Sequence, residues 1–320
     1  MKRLRRSMII IPGNVPEYLD KCRRLEADVL IIDLQDAIAK LDAAKLQARE
    51  MVVNAIEAGG FRAGEICVRV NSPASPWFVE DIKAVADAGA DSIMLSHAYS
   101  ASDVMLAEGC LYSFAPARKV EILIEVDTPG ILADLDTVAR TSTAVTSLSV
   151  AAYDFALELG ARLFGPEATT SEDWLTYCRA RVLAVARWKE WNAGDLVNIS
   201  APGADTSLQA MRASRGMGFD GVTLVFPRLI PIANEVFGVS AEELSWAQTL
   251  VDEWNKHDGG PEWNRGARTI NGQLVFAPTY EYARRVLKHY AVISGGAEAT
   301  NHFRKFGLAS DEYLLEKRTR

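Results

Sequence analysis

Eight short apolar runs, each ending in polar or turn residues, recur along the chain before residue 240: "SMIIIPG", "ADVLIIDLQD", "ICVRVN", "DSIMLSH", "EILIEVDT", "SLSVAAYD", "LVNISAP" and "GVTLVFP". Between them lie segments such as "PEYLDKCRRLE", "AAKLQAREMVVNAIEAG", "WFVEDIKAVADAG" and "ILADLDTVARTS", whose apolar residues return every three or four positions, as on one face of a helix. Near-continuous apolar strands are buried on both faces, which is the condition of a parallel sheet covered by helices. Eight strand-then-helix units match a closed (β/α)8 barrel. An open doubly wound sheet is the alternative, but no G-x-G-x-x-G follows any of the runs, which removes the usual nucleotide-binding argument for it.

The alternation stops after "LVFPRLIPIANEVFGVS". A helical run, "AEELSWAQTLVDEWNKH", leads through the glycine-rich "DGGPEWNRGAR" into "RTINGQLVF", a hairpin centred on Asn271-Gly272, and then into a helix in "TYEYARRVLKHYAVI". Asn-Gly between two short strands is a strong two-residue turn signal. The expected organisation is an α/β chain with a TIM barrel over residues 1–239 and a C-terminal helix-hairpin-helix lid and helical extension over 240–320.

Composition narrows the function classes. Of the 320 residues, 49% are hydrophobic and 24% charged, and no apolar run approaches the ~20 residues of a spanning helix, so no membrane partner is expected. The opening "MKRLRRSMIIIPGN" has a positive start, but Pro12 and Gly13 cut its apolar run below the ~7–15 residues of a signal sequence, and it reads as a first strand. A formal net charge of -7 repels nucleic acid and anionic lipid. Cys22, Cys67, Cys110 and Cys178 are far apart with no C-x-x-C pair, so neither a zinc site nor a disulfide framework is indicated, and reduced thiols in a cytoplasm are the simpler reading.

Barrel chemistry sits at the C-terminal ends of the strands, and here those ends are selectively polar: Asp33 and Asp36, Arg69 and Asn71, His97, Glu125 and Asp127, Asp154, and Asn198. If Glu125 and Asp154 end adjacent strands, their backbones lie roughly 5 Å apart, and both carboxylates could reach one hard divalent cation. Mg2+ is bound by one or two carboxylates at about 2.1 Å, with waters and substrate oxygens completing the octahedron, whereas zinc would want His or Cys ligands, which are missing here. The alternative is that these are solvated loop acids. Arg69 lies in an otherwise apolar run, so its guanidinium needs an anionic ligand or a carboxylate partner, Asp33 or Asp36, to offset burial. His97 reads as a structural residue, and the other histidines, His257, His289 and His302, fall late in the chain. The serines of "SLSV" lack a nucleophile-elbow pattern.

Taken in order, these segments resemble the citrate lyase beta subunit-like proteins of the HpcH/HpaI aldolase group. "RRSMIIIPGN" is similar to that family's "RS-x-L-F-V-P-G", "ADVLIIDLQDAIA" to its "AD-x-x-I-x-DLEDAV", "QARE" to its "AARE", and "VRVN" to its arginine motif. "LIEVDTPGIL" resembles "LIET-A-x-G-x-L", "AAYDFALELG" resembles "GAEDLAADLG", and "GFDGVTLVFP" resembles "GFDGKW-x-I-H-P". The resemblance implies a TIM barrel that binds Mg2+ through Glu125 and Asp154, with Arg69 on the acyl carboxylate or carbonyl oxygen and Asp33 and Asn71 beside the substrate. It further implies a carbon–carbon lyase acting on the CoA thioester of a small 3-hydroxy acid, of the citryl-CoA or malyl-CoA type, through an enolate. A homo-oligomer, a trimer or a multiple of one, with a lid contributed across subunits, belongs to the same implication. The alternatives are a pyruvate-type aldolase that takes a short oxo acid with a divalent ion and no CoA, and a homologue that only binds acyl-CoA or a partner.

The chain departs from the family pattern at Gln35 in "LQD", at Tyr153 before Asp154, and at Val222 and Phe226. In the hairpin, Phe276 replaces an aspartate that malyl-CoA-type relatives supply as acid or base. Asp36 is the nearest substitute for that group.

Overall fold

The apolar runs form strands because their side chains alternate between two buried environments. In the computed structural model, which describes residues 3–115, 117, 119–162, 173–196, 204–256 and 266–295, the strands are β1 (Ser7–Pro12), β2 (Val29–Asp33), β3 (Glu65–Val70), β4 (Ser92–Leu95), β5 (Glu121–Val126), β6 (Val145–Val150), β7 (Asn192–Leu196) and β8 (Gly221–Leu224). All neighbours pair in parallel, and β8 returns to β1, with Met8 opposite Thr223, so the barrel is closed. Met8, Val29, Ile31, Cys67, Met94 and Leu123 form a separate apolar cluster in its interior. Leu30, Ile32, Val68, Ile93, Ile122 and Ile124, of opposite parity, join the larger core beneath the helices.

The helices are α1 (Pro16–Cys22), α2 (Asp42–Ala58), α3 (Phe78–Ala88), α4 (Ala101–Phe114), α5 (Pro129–Thr141), α6 (Ala152–Leu159), α7 (Thr176–Lys189), α8 (Ala204–Met217) and α9 (Ile230–Val236). Their starts follow ordinary capping chemistry. Pro129 opens α5 while the Thr128 hydroxyl accepts from Ile131 N at 3.2 Å, and Ser100 with Asp103 forms a capping box on α4. Among the described residues no helix is long and apolar enough to cross a membrane.

Two expectations change. The seventh strand covers Asn192–Leu196, beginning before the run "LVNISAP", whose residues from 197 on, Asn198 among them, fall outside the described residues. The sequence "NAGDL" hides this strand because its inner positions are not apolar. Gly194 leaves room for Met8 Cε and Ser149 Oγ, both of which would collide with a Cβ, and the buried Asp195 is satisfied by Arg179 at 3.1 Å and by the Ser214 hydroxyl at 2.6 Å. Asp154, expected at the end of the sixth strand, sits instead in the first turn of α6, because the helix begins immediately after β6. A carboxylate there faces the positive end of the helix dipole.

The N-terminal mouth is closed by charge. Buried Arg5 donates to Glu65 at 2.8 and 3.0 Å, to Glu121 at 2.6 Å and to the Thr146 hydroxyl at 2.9 Å. Burial alone would lower the Arg5 pKa, but the two glutamates outweigh it and raise it.

The described residues from 238 onward make up a second compact unit. It contains α10 (Ala241–Lys256), a hairpin of β9 (Arg268–Ile270) and β10 (Gln273–Val275), and α11 (Ala277–Ile293). Asn271 and Gly272 have φ of 49° and 79°, as the two-residue turn requires. The unit has its own core around Val251, Trp254, Val275, Tyr280 and Leu287, in which the Trp254 and Tyr280 rings stack at 5.2 Å.

Candidate active site

Strand parity places the central group of the site. Asp33, Arg69 and Glu125 lie two residues beyond the interior residues Ile31, Cys67 and Leu123, so they continue the same inward columns to the C-terminal mouth. Asp33 and Arg69 are register partners. Asp33 Oδ1 accepts from Arg69 Nε at 2.9 Å and from Gln35 N at 2.8 Å; Oδ2 accepts from Arg69 Nη2 at 2.7 Å and from Ala37 N at 3.0 Å. Arg69 Nη1 reaches Glu125 Oε2 at a looser 3.3 Å.

One guanidinium therefore serves two carboxylates unequally. Burial disfavours the Asp33 anion, but Arg69 and the backbone amides outweigh it and hold its pKa below the usual carboxylate value. For Glu125 burial wins over Arg69, and with Asp33 and Asp154 adding repulsion its pKa is raised. Arg69 itself is raised: burial opposes the charge, and Glu125 with Asp33 more than offsets that.

Beside this group the loops that carry Asp36 and His97 meet the first turn of α6 at Asp154, one potential ligand atom from each of the three lying within 4.8 Å of the others. Asp154 is pushed up by burial and by Asp36, against the opposing pull of His97 and Arg69. His97, on the loop after β4, holds a left-handed φ of 48°. Its backbone N donates to Asp127 Oδ2 at 2.5 Å, and its Nδ1 lies 3.6 Å from the same oxygen. Asp127 is fully buried, its Oδ1 has no hydrogen-bond partner, and burial with the nearby Glu125 pushes its pKa up to about 8.

Not every residue singled out in the sequence has polar atoms left for a substrate. Asn71 is buried and gives its amide to Asp81 at 2.6 Å and to Leu34 O at 3.1 Å, and its backbone N also donates to Asp81. It braces the β2–α2 connection. Asp33 is likewise spent on Arg69 and on backbone amides, so what it positions is Arg69. Sequence reasoning missed Lys45, a buried lysine whose Nζ donates to Leu34 O at 2.8 Å and Gln35 O at 2.7 Å, fixing the turn from which Asp36 projects. Nothing around Lys45 in the sequence separates it from the exposed charges of a surface helix.

The donor set, two carboxylates and an imidazole, is of a kind that fits a divalent ion; of the two acids expected to hold one, Asp154 lies in this cluster, and Glu125 accepts from Arg69. The profile of the HpcH/HpaI aldolase/citrate lyase family matches residues 6–227. The chain belongs to this family, and with it to the carbon–carbon lyases. Its relatives include the citrate lyase subunit beta of Escherichia coli K12, 29% identical over 298 residues covering 92% of this chain and 95% of that protein. A (3S)-malyl-CoA thioesterase of Cereibacter sphaeroides is also 29% identical, covering 91% of this chain and 97% of the relative. The human mitochondrial citramalyl-CoA lyase is 26% identical, with 88% and 84% covered. Among solved structures, the CitE protein of Mycobacterium tuberculosis in complex with magnesium, acetoacetate and coenzyme A superposes with a TM-score of 0.70 at 23% identity, covering 89% of this chain and 97% of that one. A citrate lyase from Burkholderia xenovorans LB400 gives 0.78 at 16% identity, with 93% and 95% covered.

Proposed function

We propose that this member of the HpcH/HpaI family is a divalent-cation-dependent lyase that cleaves or forms a carbon–carbon bond in the CoA thioester of a small 3-hydroxy acid, through an enolate of the shorter thioester. The observation that carries the reading is Arg69, fixed at the barrel mouth by Asp33 and Glu125 and close enough to Asp154 to oppose the burial that raises the pKa of that acid. A developing enolate oxygen is stabilised by pre-oriented positive charge, and a guanidinium held by both edges loses little freedom when it takes up a carbonyl or carboxylate oxygen. Glu125 and Asp154 would hold the ion, Mg2+ by the family resemblance, and the ion would supply Lewis acidity at the same oxygen.

Proton movement falls to Asp36, the exposed carboxylate of the cluster. The citrate lyase subunit and citramalyl-CoA lyase relatives and the magnesium- and coenzyme A-bound CitE structure support the substrate class. We place the enzyme in a cytoplasm, in keeping with four free cysteines, and in a homotrimer, for which exposed Tyr112 and Leu157 offer apolar surface.

The test is a calorimetric screen of CoA, acetyl-CoA and pyruvate with and without Mg2+, followed by turnover of citryl-CoA and malyl-CoA. Mg2+-dependent binding of acetyl-CoA with turnover of either thioester is expected. Binding of pyruvate alone would replace the reading with a pyruvate-type aldolase, and binding without turnover of any of these would replace it with an acyl-CoA binder.

A further inference from the structure

We propose that His97 supplies an imidazole ligand to the divalent cation of this site, giving a mixed nitrogen and carboxylate site that prefers a transition ion such as Mn2+ or Co2+ to Mg2+. The inference rests on the reading of Asp154 as a cation ligand. Its first support is geometric. The nearest ligand atoms of Asp36, His97 and Asp154 all lie within 4.8 Å of one another, while ligand atoms on one ion bonded at about 2.1 Å lie at most about 4.2 Å apart. Small side-chain rotations close that difference.

The second support is what stands behind the ring. Asp127 is fully buried, and its Oδ2 already accepts the His97 backbone N at 2.5 Å and lies 3.6 Å from Nδ1. Its other oxygen has no partner. At 3.6 Å the Nδ1 approach is longer than a hydrogen bond, so Asp127 holds His97 through the backbone N and leaves the ring nitrogens to the cluster. The bond from the His97 backbone N to Asp127, with the left-handed φ of 48°, anchors the loop position from which the ring meets Asp36 and Asp154. Imidazole is a borderline donor that suits transition ions and is a poor ligand for Mg2+. One imidazole in an otherwise oxygen site therefore changes which ion is favoured without abolishing divalent binding. The competing arrangement is an imidazolium that merely neutralises Asp36 and Asp154.

The experiment compares the native protein, His97→Gln and Asp154→Asn, each stripped with chelator and checked for native circular dichroism. Mn2+ and Mg2+ are titrated separately by calorimetry, and pulsed EPR of the Mn2+-loaded protein reads directly bound nitrogen. The expected result is nitrogen modulation in the native protein that is lost in His97→Gln. That variant should also lose about tenfold or more in Mn2+ affinity and change little for Mg2+. No nitrogen modulation in the native protein, or equal Mn2+ affinity with and without His97, overturns the inference. Asp154→Asn separates the two readings. If it weakens both ions while His97→Gln weakens neither, the cation site stands and only the imidazole is removed from it. If it weakens neither ion, the cation reading itself fails, and the inference fails with it.

Discussion

Asp33 and Arg69 face each other across β2 and β3, and one carboxylate accepts both N–H donors, Nη2 and Nε, along one edge of the guanidinium at 2.7 and 2.9 Å while also capping two backbone amides. The pair anchors Arg69 for the substrate, so its two members should fail differently. Arg69→Lys keeps the charge and loses the planar fork, and kcat should fall by about 10²–10³, the cost of one oxyanion donor, with little change in Tm. Asp33→Ala strands a buried guanidinium and should cost about 3–5 kcal/mol in denaturant unfolding. If Arg69→Lys unfolds the protein yet leaves residual turnover normal, Arg69 is only a structural ion-pair partner.

Glu125→Gln and Asp154→Asn test the ion directly. Saturating Mg2+ at about 100 times its Kd should stabilise the native protein by about 2.7 kcal/mol, read as a Tm increase in thermal melts, and each variant should lose that increase while keeping its fold. Unchanged Mg2+ shifts in both would make these acids ordinary loop carboxylates.

Because burial raises the pKa values of Glu125 and Asp154, with Asp33 and Asp154 adding to it at the first and Asp36 at the second, the ion-free site retains protons to higher pH than ordinary carboxylates do. A cation must displace them. Apparent Mg2+ affinity should therefore fall as pH is lowered, and titrations in two buffers of different ionisation enthalpy should report proton release on binding. Equal heats in both buffers would contradict this.

Asp127 gives a stability prediction with a definite sign. Its pKa is about 8 in the folded protein against about 3.9 in an unfolded chain, so between these values the native state holds a proton that the unfolded state lacks. Stability from this group is fully present below about pH 4 and is lost as pH rises through 8. Asp127→Asn keeps an acceptor for His97 N and cannot ionise, so the metal-free variant should melt above the native protein at pH 8.5 and level with it near pH 4. A variant less stable at both pH values would show that the carboxylate is needed as an anion.

Phe276, at the N-cap of α11 and 45% exposed, makes no side-chain cap. Phe276→Asp should thus be tolerated, and an N-cap aspartate is worth about 0.5–2 kcal/mol. With acetyl-CoA and glyoxylate under Mg2+, the native protein should form little malate, and the variant should gain activity, since a positioned acid or base contributes about 10²–10⁴-fold. Robust turnover by the native protein would show that the absent aspartate is not limiting.

Much of the barrel was legible because parallel strands must be apolar on both faces: five of its eight strands lie within the apolar runs, and β3 and β6 overlap theirs. β7 was not, since a glycine and a satisfied Asp195 replace the apolar signal there. Arg69 stood out as a charge inside an apolar run, and Asp33 and Glu125 as acids at strand ends. Sequence could not show which acids are buried. Asp127 and Asp36 look alike as strand-end acids, yet one is sealed and the other exposed. It also read His97 as structural, because the loop that carries it to Asp36 and Asp154 is a product of the closed barrel. The Arg5 to Glu121 contact, which spans 116 positions, has no local signature at all.

The interior of the barrel is a thin insulator between two ionic circuits. The Arg5, Glu65 and Glu121 set and the Asp33, Arg69 and Glu125 set are separated by the apolar layer of Ile31, Cys67, Met94 and Leu123, about 13 Å along β3 at ~3.3 Å per residue. Groups that far apart with no shared partner contribute almost independently to stability. Selection can rewire the upper circuit, exchanging acids, ions and substrates at the mouth, while the lower one goes on fixing strand register undisturbed.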